Sequence, residues 1–87
     1  MNAQQRYVKA MTLKDDTDIA TIDSEIQAGN ILILKITPLV VEDAPQIKEA
    51  IREIKEIIGK REGDIARLGE ERIVLTPKGV RIWRGPT

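Results

Sequence analysis

The sequence predicts an α/β fold: a two-layer sandwich in which a five-stranded mixed sheet carries two helices on one face, in the order β-α-β-α-β-β-β. Three observations lead there. Short, mostly apolar runs recur at Tyr7–Leu13 and Ile31–Ile36, the second rich in β-branched residues, which suits strands rather than helices. Between and after them lie two segments whose isoleucines are spaced by three and four, the period of a helix with one buried face. The tail then breaks into short strand-like runs separated by turn residues. Right-handed crossovers through each helix put both on the same side of the sheet. With 87 residues, the chain is expected to form one domain over residues 1–87.

Each element has its own signal. Tyr7–Leu13 is mostly apolar and short, and is read as the first strand. Lys14-Asp15-Asp16-Thr17-Asp18 then offers side-chain oxygens to free N–H groups and negative charge to a helix dipole. Ile19, Ile22 and Ile26 share one face, and Gly29-Asn30 suits a left-handed terminus, so the first helix is placed at about 17–28. Ile31–Ile36 is the most hydrophobic stretch and reads as a central strand that Pro38 ends.

After the apolar connection Leu39-Val40-Val41, Asp43 is a candidate cap and Pro45 suits a first turn, so a second helix begins near Ala44. Its stripe is Ile47, Ile51, Ile54 and Ile58, widened by Ala50 and Ile57; Gly59 weakens its end, and Gly63 with Asp64 closes it. The remaining strands are placed at Asp64–Leu68, Arg72–Thr76 and Val80–Trp83, joined by Gly69-Glu70-Glu71 and Pro77-Lys78-Gly79 as an antiparallel meander.

The central strand is apolar on both sides. Leu32, Leu34 and Ile36 point one way and Ile31 and Ile33 the other, with Lys35 the only polar interruption. If the helices cover one face, the other needs a different cover, and a homodimer supplies it most simply. Two surfaces compete for that contact: the sheet face with Ile31 and Ile33, and the helix face with Ala50 and Ile57. The sheet is preferred, because the helix residues are readily absorbed into the core. The alternative is that Lys9, Lys35 and Arg81 screen the second face.

Composition excludes more than it assigns. There is no Cys and no His, which removes thiol chemistry, the usual general base and the commonest metal ligand. Ser24 is the only serine, lies on a predicted helix and has no histidine to activate it, so no enzymatic activity is expected. Asp15, Asp16 and Asp18 lack the ligand spacing and glycine of a calcium loop; neither metal nor cofactor is expected. Gly59-Lys60-Arg61-Glu62-Gly63 follows a helix and precedes a strand, the reverse of a phosphate-binding loop.

The 14 basic and 14 acidic residues cancel. Residues 1–47 carry four basic against seven acidic groups, and residues 48–87 ten against seven, so the tail is mildly basic. Arg67, Lys78, Arg81 and Arg84 in that tail suit an acidic partner peptide. A small nucleic-acid-binding module using the same basic residues is the alternative, disfavoured because stacking aromatics are missing. No apolar run approaches the roughly 20 residues needed to span a bilayer, and the start has no apolar signal-peptide core, so the chain is expected to be cytoplasmic.

The tail block Gly63-Asp64-Ile65-Ala66-Arg67-Leu68-Gly69, followed by Ile73-Val74-Leu75-Thr76-Pro77 and Val80-Arg81-Ile82, resembles the C-terminal half of SepF. SepF is a cell-division protein of Gram-positive bacteria, cyanobacteria and many archaea. The Asp-rich helix start, the Ile helix ending at Gly29 and the strand Ile31–Ile36 resemble that family in the same order, so the resemblance covers about residues 7–83. Bacterial members commonly carry an aromatic where Ile73 stands, and small residues where this chain has Glu56-Ile57-Ile58-Gly59; the segment 37–46 also looks longer here. The chain is therefore similar to an archaeal-type member.

The resemblance implies a dimeric adaptor at the division site, on the inner face of the membrane. It would bind the C-terminal peptide of the tubulin-like protein FtsZ and tether its filaments. Members usually reach the membrane through an N-terminal amphipathic helix and linker, so membrane contact is expected only through such a segment. Carried onto this sequence, the peptide site would use Arg67 as a charge partner and Ile73 as an apolar slot. Leu75 extends that slot, because it shares a strand face with Ile73.

Overall fold

The computed structural model describes residues 5–14, 17–36 and 45–85, with 45–47 described by backbone alone. The elements are β1 (Val8–Thr12), α1 (Asp18–Gln27), β2 (Ile31–Lys35), α2 (Pro45–Lys60), β3 (Asp64–Leu68) and β4 (Arg72–Thr76). The strands form a four-stranded sheet in the order β1-β2-β4-β3. β1 runs parallel to β2, while β2–β4 and β4–β3 are antiparallel. The architecture is thus the expected mixed α/β sheet with both helices on one face, but with four described strands rather than five.

The missing strand is Val80–Trp83, which lies outside any ladder. Several of its backbone groups are held by side chains or by the preceding turn instead, the Val80 N–H reaching the Pro77 carbonyl (3.2 Å). The Thr76 hydroxyl donates to the Val80 carbonyl (2.7 Å), and the Ile82 N–H donates to Asp64 Oδ2 (2.8 Å). At Val80 and Ile82 the strap therefore needs no neighbouring strand to satisfy its backbone.

Both helices end in the same hydrogen-bond pattern. At α1 the Asn30 N–H reaches the Glu25 carbonyl and the Gly29 N–H the Ile26 carbonyl, with Gly29 at φ 94°. At α2 the Gly63 N–H reaches the Ile58 carbonyl and the Glu62 N–H the Gly59 carbonyl. This paired closure of the last carbonyls needs one left-handed residue. In α2 that residue is Glu62, at φ 61°, and not a glycine. At the start of α1, Asp18 accepts from the Lys14 N–H (2.8 Å), which fixes the chain's entry. The expected contributions of Asp15, Asp16, Pro38, Leu39-Val40-Val41 and Asp43 lie outside the described residues.

The core is aliphatic, as the composition requires. Ile22 and Ile26 of α1, Ala50, Ile54 and Ile58 of α2, Leu32 and Leu34 of β2, and Ile73 and Leu75 of β4 are all buried in one cluster, joined by Leu13 and Ile36. Among the described residues two polar side chains are also buried, Asn30 and Thr76. Asn30 accepts from the Tyr7 N–H (3.0 Å) and donates to Glu25 (2.7 Å), tying the start of β1 to the end of α1.

Candidate partner-binding surfaces

Strand register decides which residues share a face. Arg67 pairs with Ile73 and Ile65 with Leu75 across β3–β4, while Ile73 pairs with Leu34 and Leu75 with Leu32 across β4–β2. All of these point toward the helices. Arg67 is exposed at the outer strand, where its guanidinium donates to the Glu70 carbonyl (3.1 Å). Ile73 and Leu75 are 6% and 0% exposed. The apolar slot expected from them is therefore closed, because the helices occupy the space above the face they share; of the three residues only Arg67 is open to a partner.

The other face presents Val8, Ile31, Ile33, Val74 and Leu68, all at least partly exposed. No described helix lies over them. At one end of this face Lys35 and Arg72 are direct cross-strand neighbours, an unfavourable like-charge pairing. At the other end sit Asp64 and Thr76 with the strap. An apolar centre with polar ends is the anatomy of a protein interface. The alternative reading has Lys9 among the residues screening this face, but Lys9 pairs with Leu32 in register and so lies on the helix side, where it bonds Glu25 (3.0 Å).

The rival helix surface fares differently. Ala50 is 2% exposed and belongs to the core, so it is unavailable for a dimer contact. Ile57 is half-buried and lines a cleft of about 380 Å³ with Asp23, Lys60 and Arg61. The Arg61 guanidinium spans that cleft to both oxygens of Asp23 (3.0 and 3.2 Å), cross-linking α2 to α1. This hydrogen-bonded pairing holds the Asp23 carboxyl below its usual range and Arg61 above its own. The cleft is thus already closed electrically by its own pair.

Asp64 is the most heavily bonded carboxylate described. It accepts from Arg84 on both oxygens (3.1 Å each), from the Ile82 N–H and from the Ile65 N–H (2.9 Å). The Arg84 guanidinium first, then the Ile82 N–H, hold its carboxyl well below the ordinary carboxylate range, against a smaller opposing effect of burial. The sequence places Asp64 at the close of the second helix and the start of a strand; its pairing with Arg84, twenty residues on, has no local signal.

Catalytic geometry is not in sight among the described residues. Ser24 is exposed on α1. Among the described residues no group of three or more acidic side chains converges as metal ligands would. No described helix is long and apolar enough to cross a membrane.

Comparison with known proteins agrees with the fold and tail pattern. The family model described as Cell division protein SepF matches residues 8–82. Cell division protein SepF of Haloferax volcanii is 30% identical over 67 residues, covering 77% of this chain. The match spans 56% of that relative's length. Among solved structures, the SepF-like protein from Archaeoglobus fulgidus superposes with a TM-score of 0.84 at 23% identity, covering 93% of this chain and 96% of that one. The SepF-like protein from Pyrococcus furiosus gives 0.79 at 26% identity, covering 95% and 100%. With its four-stranded sheet, its Gly63–Gly69 block and a family match over nearly the whole described chain, this protein belongs to the SepF family of cell division proteins.

Proposed function

We propose that the chain is a non-enzymatic cell-division adaptor: a homodimer that binds the C-terminal peptide of FtsZ in the cytoplasm and links FtsZ filaments to the inner face of the membrane. The family match over residues 8–82 carries the reading. The uncovered sheet face with Ile31 and Ile33 supports the dimer, since a contiguous apolar surface on a small soluble protein marks an interaction site. Membrane linkage is assigned to a segment other than the described core elements.

For the peptide, Arg67 is the residue retained from the sequence argument. It stands exposed on the edge strand β3, where an extended tail with acidic residues finds a cation at the margin of the sheet. Ile73 and Leu75 act from beneath, by fixing the hairpin that presents Arg67. Titration with a synthetic FtsZ C-terminal peptide is the test. Binding that Arg67→Glu weakens about tenfold or more is the expected result. Wild-type affinity in that variant places the peptide elsewhere, and no binding at all refutes the adaptor reading. Salt dependence separates the alternative: a nucleic-acid module loses affinity steeply with salt, whereas a peptide held partly by apolar contacts does not.

A further inference from the structure

Trp83 is the most exposed large apolar side chain described, at 81%. It is also the only tryptophan. It does not hang on a loose end. The residue before it donates its N–H to Asp64, and the residue after it, Arg84, bonds both oxygens of Asp64 and the Ile65 carbonyl (2.7 Å). Two residues further back, the Val80 carbonyl is fixed by Thr76. An exposed tryptophan whose backbone is already ordered on both sides costs little entropy to bury. That is the profile of an interface anchor.

The strap also has a defined side. Asp64 and Thr76 are cross-strand partners, and by alternation they share a face with the Ala66–Val74 pair and with Ile33. That is the face the helices leave uncovered. Thr76 is 2% exposed although it lies on this open side, whereas Val74 is only partly buried, which places the strap over the Thr76 end of the open face. The strap that carries Trp83 and the apolar sheet surface therefore belong to the same side of the molecule. Each is an apolar surface that no described element covers, and a two-fold axis in front of the sheet would bring each over the other in a second copy.

We infer that Trp83 is an anchor of the homodimer, seated against the open sheet face of the partner copy around Ile33 and Val74, with the Asp64–Arg84 clamp holding it in position. This rests on the sheet-face dimer proposed above and names a residue outside the sheet that secures it.

Because Trp83 is the sole tryptophan, its own emission reads the contact. Over the protein concentrations at which sedimentation equilibrium shows monomer passing to dimer, the emission should move to shorter wavelength and become shielded from acrylamide. Trp83→Ala, at a site too exposed to matter for the monomer fold, should weaken the dimer about tenfold or more, and Trp83→Phe should restore part of the loss. Ile33→Glu should abolish the dimer and leave Trp83 quenchable. If a dimer forms with Trp83 still quenchable and Trp83→Ala dimerises like the wild type, the anchor is refuted while the sheet-face dimer stands. A mass of one chain at all concentrations refutes both. An emission shift that requires vesicles of anionic phospholipid, and not protein concentration, assigns Trp83 to a lipid surface and overturns the inference.

Discussion

Gly59 and Gly63 lie within one turn of each other and respond oppositely to a methyl group. A Cβ at Gly63 would stand 2.0 Å from the Thr76 carbonyl oxygen, which is backbone and cannot swing aside. A Cβ at Gly59 meets nothing within 4 Å and sits in helical conformation. Gly63→Ala should thus cost about 1–3 kcal/mol through forced separation of β4 from the end of α2, while Gly59→Ala should stabilise by about 0.5–1 kcal/mol. Urea midpoints of the two variants on either side of the wild type are the expected result. Asp64 adds a pH dependence. Its carboxyl is held below its ordinary value in the folded state, so the unfolded chain binds more protons in acid. The stabilisation is complete above about pH 4, the unfolded value, and is lost as pH falls toward the depressed folded value. Asp64→Asn should be less stable than the wild type at neutral pH by about 2 kcal/mol, and the gap should narrow below about pH 4. A gap independent of pH would show that the charge on Asp64 contributes nothing.

At the scale of elements, β2 organises the sheet, pairing with β1 on one side and β4 on the other. Leu34 is fully buried at its centre, between Met11 and Ile73 in register. Leu34→Ala should cost about 2–5 kcal/mol, read as a lowered thermal midpoint, because neighbours held by two ladders cannot collapse into the cavity. The extents of β2, both helices and the β3–β4 hairpin were legible for different reasons: a short apolar run rich in β-branched residues at Ile31–Lys35, threes and fours in Ile19, Ile22 and Ile26 and in Ile51, Ile54 and Ile58, and turn residues around Gly69. Val80–Trp83 has the composition of a strand, but whether a strand pairs depends on what lies beside it, and there the Asp64 and Thr76 side chains satisfy the backbone first. The same limit applies to the peptide site. Alternation correctly set Ile73 and Leu75 on one face, yet alternation gives parity and not cover, so it could not show that the helices lie over that face.

At the scale of the whole molecule, charge and burial together decide what surfaces it meets. The formal net charge is zero, so no long-range attraction draws the chain to an anionic bilayer. Both helices are amphipathic, but their apolar residues Ile22, Ile26, Ile54 and Ile58 are committed to the core. The outer face of α2 is laced by Arg52, which bonds Glu49 and Glu56 at the i,i+3 and i,i+4 spacings, and is too polar to enter lipid. An interfacial helix needs a free apolar face backed by cations, and among the described residues neither helix offers one without unfolding. The chain as given should therefore stay in the supernatant when spun with anionic phospholipid vesicles at low salt. Fusing an amphipathic basic segment ahead of Tyr7 should carry it into the pellet, and should do so more strongly for the dimer than for Ile33→Glu, because two anchors on one particle act at a high effective concentration. Pelleting of the unfused chain would mean that a described surface, with Trp83 and Arg81 as its most exposed components, itself reads lipid.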